Sequence, residues 1–103
     1  MTSMPNNPTL SDILYAAREH LDRRAMLEQL AEEAAELSQA ALKLIRAEGN
    51  GNPTPISRYE AQEKLIEEYA DVRLCCDLLR VEERDSIILE KAQRWIRRLE
   101  AER

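Results

Sequence analysis

Two octets of the chain, "LAEEAAEL" at residues 30–37 and "LIEEYADV" at residues 65–72, share the pattern Leu-x-Glu-Glu-x-Ala-acid-aliphatic. At helical pitch Glu33 falls three residues after Leu30 and four before Leu37, and Glu68 stands in the same relation to Leu65 and Val72. Each acid therefore lies on a stripe that is otherwise apolar. A second acid follows at i+3 in each octet, Glu36 and Asp71, its Cβ roughly 5–6 Å from that of the first. Two such helices packed antiparallel bring four carboxylates to one seam. Ionised carboxylates do not survive side by side out of water without a cation, because desolvation and mutual repulsion both oppose the charge. No Lys or Arg shares the stripe in either octet, so the expected partner is a hard divalent ion with oxygen ligands. Mg²⁺ meets that description, with Mn²⁺ as a substitute, since it takes a few carboxylates and completes its shell with water and substrate phosphate. A solvated acidic face is the competing reading, because acids are 20 of the 103 residues and charge runs on helices commonly face water. The same placement in two octets favours the metal.

The elements that must position these acids have readable punctuation. Thr9, three residues before Asp12, forms a capping-box signal for a short helix running to about His20. Asp22 is placed to cap a long helix over residues 23–48, whose stripe is Met26, Leu30, Leu37, Ala41 and Leu44, with Gly49 at its end. "GNGNPTP", residues 49–55, holds both glycines and two of the four prolines and reads as a loop. Ser57 with Glu60 opens a third helix to about residue 81, carrying Ala61, Leu65, Val72, Cys75 and Leu79 on one face. "VEERD" turns the chain, Asp85 is placed to cap, and residues 86–102 form a fourth helix with Ile88, Ala92, Trp95 and Leu99 in line. Trp95 reads as a core anchor and His20, the lone histidine, as a surface or helix-end residue. No alternating strand pattern occurs. The expected fold class is all-α: one domain over residues 1–103, a helical bundle of three long helices plus a short N-terminal one, with residues 1–8 flexible and 49–56 a loop.

Composition narrows the functional classes. Hydrophobic residues are 44% of the chain but aromatic ones only 4%, with no Phe, so Ala and Leu fill a thin core and an oligomer of two or four copies is expected. The net charge of −5, with acids and bases interspersed, excludes the basic stripe that a nucleic-acid polymer requires. The opening "MTSMPNNPTL" lacks the basic and apolar segments of a secretory signal, and no stretch reaches the length of a membrane span. A cytoplasmic location without membrane contact is expected. Cys75 and Cys76 are adjacent within a helical pattern, which suits packing and neither a disulfide nor a tetrahedral metal site.

"EEAAEL" followed by "EEYADV" resembles the Glu-x-x-Glu … Glu-x-x-Asp signature of the MazG-like all-α nucleoside triphosphate pyrophosphohydrolases, above all their small single-domain bacterial and phage-type members. The similarity spans residues 10–99. It implies Mg²⁺-dependent hydrolysis of a nucleoside triphosphate to the monophosphate and pyrophosphate by an oligomer of helical bundles. Glu33 and Glu36 match the first acid pair and Glu68 and Asp71 the second, so these four are the implied metal ligands. The 31 residues between Glu36 and Glu68 slightly exceed the family's usual spacing, and the excess sits in the Gly-Asn-Pro loop.

Within that resemblance, water attacks the α-phosphorus, and a carboxylate takes its proton. Glu36 is the first choice of base, being off the centre of the stripe, and Glu33 the second. Lys91 and Arg94 in "KAQRWIRR" match basic residues that contact phosphates in the family; a solvated basic face near a helix C-terminus is the alternative for them. Two other functions compete: phosphoribosyl-ATP pyrophosphohydrolase, with a similar signature, and a non-catalytic helical module whose amphipathic helices dock a partner.

Overall fold

The computed structural model describes residues 4–49 and 56–102. These form four helices, α1 (Leu10–His20), α2 (Arg23–Ala47), α3 (Arg58–Leu79) and α4 (Asp85–Ala101), and no strand occurs among the described residues. Most of the loop expected at 49–56 lies outside them, as do residues 1–3 of the expected flexible start; residues 4–9 are non-helical.

Short polar side chains start three of the helices, each satisfying a backbone N–H that has no partner within the helix. The Thr9 hydroxyl accepts from the Asp12 N–H at 3.2 Å while the Asp12 carboxylate accepts from the Thr9 N–H at 2.9 Å, a complete capping box. Asp22 accepts from the Ala25 N–H at 2.7 Å, and the Ser57 hydroxyl from the Glu60 N–H at 3.1 Å. The fourth start departs from expectation. Arg84 is the N-cap of α4 and offers no capping side-chain hydrogen bond, whereas Asp85 lies inside the first turn, where its charge complements the helix dipole.

The ends are equally specific. Gly49 follows α2 at φ 91°, a conformation open to a residue without Cβ. Past α3, Arg80 takes the left-handed region at φ 55°, and the N–H groups of Arg80 and Val81 return to the carbonyls of Asp77 and Cys76, a Schellman closure. Arg18 reaches over from α1 and donates to the carbonyls of Leu78 at 2.9 Å and Asp77 at 2.6 Å. A guanidinium on the carbonyls of a helix C-terminus also meets the negative end of the dipole, so this contact docks α1 onto α3.

The α2 and α3 helices form the main packed pair and α1 lies against α3. The pair is antiparallel, since Lys43 shares a cleft with Lys64, Glu36 meets Glu68, and Glu33 acts on Cys75. Buried residues are few among the described ones: Leu14, Ala40, Ala61, Cys75, Leu79 and, alone there among charged side chains, Glu68. Ala40 and Ala61 at the contact let the two helices approach closely. Cys75 and Cys76 are both free thiols, with Cys75 in the core as its spacing implied.

The bundle expectation holds only in part within one chain. Among the described residues α4 packs against none of the other helices, and Trp95, expected as a core anchor, is 68% exposed. Its neighbours Ile88 and Leu99 are open to solvent as well. The radius of gyration is 18.2 Å, against about 13 Å for a globule of this length. The accessible surface is 8660 Å², against about 5,900 Å² from mass scaling.

Candidate metal centre

One turn of α2 carries Glu33 and Glu36 on adjacent rungs, and the facing turn of α3 carries Glu68. The three side chains offer carboxylate oxygens that all lie within 4.8 Å of one another. Glu33 is half-buried and Glu36 is exposed, while Glu68 is 4% exposed. The site is therefore a short ramp from the seam between α2 and α3 out to water.

The oxygens are unevenly satisfied. One carboxylate oxygen of Glu33 accepts from the Gln29 amide at 2.8 Å, and one of Glu68 accepts from the Lys64 ammonium at 2.8 Å. The second oxygen of each, Glu33 Oε2 and Glu68 Oε2, is buried without a hydrogen-bond partner. Buried polar atoms are overwhelmingly paired in folded proteins, and an orphaned anionic oxygen is costlier than a neutral one. Two of them, contributed by two helices to one acid cluster, form a donor set suited to a hard cation: oxygen only, anionic, with room for water on the exposed side.

Electrostatics inside the cluster follow the geometry. The Glu33 carboxylate, then that of Glu68, pushes the Glu36 carboxyl above its ordinary value, and partial desolvation acts the same way. Glu68 is held below its ordinary value by the hydrogen bond from Lys64, against burial, which works in the other direction. Burial of the Cys75 thiol, followed by the charge of Glu33, raises its pKa.

Three of the four acids expected as ligands are thus brought together. Asp71 is the fourth, and its carboxylate stands outside the group of three. It still senses them: its carboxyl is raised by desolvation first and then by Glu33 and Glu68. Lys91 and Arg94 lie elsewhere. They line an exposed groove on α4 with Ala92, Trp95 and Arg98, and Arg94 stands 3.7 Å from Glu90 of its own helix.

The cations that border the acids are Lys43 and Lys64, which the octet pattern overlooked. With Glu36, Gln39, Ala40 and Glu68 they line a cleft of about 240 Å³. The signal was present one position outside the second octet, where Lys64 precedes Glu68 by four residues and so shares its helix face. Lys43 had no comparable mark, because its place depends on the register of α2 against α3. No protein-family model, curated protein or solved structure matches the chain.

Proposed function

We propose that the chain is a Mg²⁺-dependent nucleoside triphosphate pyrophosphohydrolase, with Glu33, Glu36, Glu68 and Asp71 holding the ion and Mn²⁺ able to replace it. The observation that supports this reading best is the pair of buried, unpartnered carboxylate oxygens on Glu33 and Glu68. A surface salt-bridge face leaves no such atoms. The chemistry supplied by a bound Mg²⁺ is charge neutralisation on phosphate oxygens and a lowered pKa for water.

The residues of the chain do the rest. Glu68, fixed in the seam, anchors the inner side of the site, and Glu33 is oriented by Gln29. Glu36 stands at the exposed rim, where water reaches it, and serves as the base; Glu33 is the alternative. The water oxygen bonds to the α-phosphorus, the bond from that phosphorus to the bridging oxygen breaks, and the proton passes to the carboxylate. Pyrophosphate is the leaving group, and because water is the nucleophile a Ser or Cys has no role.

The reading includes a homodimer, or a dimer of dimers, in which a second copy covers the apolar face of α4, and a cytoplasmic setting. No helix among the described residues is long and apolar enough to cross a membrane. The exposed α4 face is also what a non-catalytic docking module would present, which keeps that second reading open to test. The deciding experiment incubates the protein with Mg²⁺ and a panel of nucleoside triphosphates plus phosphoribosyl-ATP, and measures pyrophosphate. Release that stops on chelation is expected, and the preferred member of the panel separates the general enzyme from the phosphoribosyl-ATP one. Absence of pyrophosphate from every substrate leaves the docking module.

A further inference from the structure

Lys64 Nζ lies 2.8 Å from Glu68 Oε1 and 3.9 Å from Glu67 Oε2. The two ends of the main pair differ sharply in setting, since the Lys64 side chain is 54% exposed and that of Glu68 only 6%. One partner is locked in the helix seam and the other reaches in from water. The Arg24–Glu28 pair, with the same spacing and order, leaves both heads at the surface, whereas Glu68 has been withdrawn from water with its second oxygen unpartnered.

Lys64 therefore compensates half of a buried carboxylate and does so from outside. Lys43, on α2, acts on the same carboxylate from the opposite wall, and both lysines line one cleft beside Glu36. Each ammonium is a compact charge on a flexible four-carbon stem, and the exposed stem of Lys64 can turn outward without unpacking a neighbour.

We propose that Lys64 is a placeholder cation: its ammonium neutralises Glu68 until a divalent ion enters, is displaced by that ion, and then joins Lys43 in binding the anionic oxygens of a phosphate ligand. The proposal rests on the reading of Glu33, Glu36 and Glu68 as a metal centre. A divalent ion would draw on all three acids, including the Glu68 oxygen that Lys64 leaves free, and its charge repels the ammonium beside it, so the ammonium gives way. The released ammonium keeps the surface carboxylate of Glu67 as a neighbour, and an anion in the cleft replaces what it lost. Metal and phosphate then strengthen each other's binding, by an equal factor in each direction.

The test uses the full chain and two probes, Mn²⁺ alone and magnesium pyrophosphate, in calorimetric titrations at low salt. Lys64→Met removes the competing charge at a half-exposed position, so the fold is retained and Mn²⁺ alone binds about three- to fivefold tighter, the scale of one partly exposed ion pair. Magnesium pyrophosphate binds roughly tenfold more weakly to the same variant, which has lost a charge-assisted contact. Lys43→Met removes an equal charge without the Glu68 hydrogen bond and tightens Mn²⁺ less. Unchanged or weaker Mn²⁺ binding by Lys64→Met overturns the proposal, as does equal tightening by Lys43→Met, which is long-range charge alone. Both results leave the metal centre standing if Mn²⁺ binding is lost in Glu68→Gln. Failure of the parent protein to bind Mn²⁺ removes the metal centre and the placeholder together.

Discussion

Glu67 and Glu68 are neighbours in sequence with opposite fates. Helical pitch turns one about 100° from the other, so Glu68 enters the seam while the Glu67 side chain stays 70% exposed. That contrast makes a sharp test of the catalytic reading. Glu68→Gln keeps the size of the side chain and removes a ligand charge, and turnover is expected to fall roughly 10²-fold or more, the loss typical of one transition-state charge stabiliser. Glu67→Gln is expected to leave turnover near the parent value. Equal losses at the two positions in a steady-state pyrophosphate assay would contradict the metal-binding role of Glu68.

The same cluster dictates how stability depends on pH without metal. Glu36 holds its proton more tightly when folded than its ordinary 4.5, so its contribution is present in full below that pH and is lost as the pH rises through its raised folded value. Asp71 acts alike, starting from 3.8. Glu68 runs the other way: lowered by Lys64, it contributes above 4.5 and loses that contribution only as the pH falls through its folded value. Chelator-treated protein should therefore lose stability as the pH is raised from 4.5 toward neutrality, and Mg²⁺ should abolish the loss. Denaturant unfolding at a series of pH values, with chelator or with Mg²⁺, measures both; a chelated protein that is flat or gains stability across that window would show that the acids do not repel.

Among the elements, α3 shows how its ends are satisfied both locally and by tertiary contact. Its start is the Ser57 cap, legible as Ser-x-x-Glu. Its end combines a left-handed Arg80 with carbonyls taken by Arg18 from α1, and neither was legible, because Arg80 breaks the preference for Gly at that position and Arg18 is about sixty residues away. A side chain in the left-handed region costs about 1–2 kcal/mol, part of which returns as chain entropy when Gly replaces it. Arg80→Gly is thus expected to stabilise the protein by roughly 0.5–1 kcal/mol. A thermal or denaturant melt showing destabilisation would mean that the Arg80 side chain supports the fold in some other way.

At the scale of the whole molecule the governing fact is α4. Its stripe of Ile88, Ala92, Trp95 and Leu99 was legible as an amphipathic face, yet nothing among the described residues covers it. The surplus of exposed surface over a globule of equal mass is of the order that stable dimers bury. A sedimentation mass of at least twice 11.9 kDa is expected at micromolar concentration. Trp95→Asp, which sets a charge in the middle of the stripe, should shift that mass toward the monomer while the helical circular dichroism of α1–α3 persists. A parent protein that sediments as a monomer would count against the oligomer and against any site shared between copies.

The sequence by itself determined what depends on neighbours along the chain: the four helices, the caps at Thr9, Asp22 and Ser57, the glycine stop at Gly49, and the acids that share a stripe with Leu30 and Leu65. These rest on hydrogen bonds three or four residues long and on a period of 3.6, and both are written in spacing. Only the tertiary structure decided which acids meet, that Asp71 stands apart from Glu33, Glu36 and Glu68, that Lys43 and Lys64 border the cluster in place of Lys91 and Arg94, and that α4 leaves the bundle. Each of these depends on the register and separation of α2 and α3, or on the path of the chain past Val81. Register is set by the sum of many weak packing contacts at positions such as Ala40 and Ala61, and no single spacing in a sequence encodes that sum.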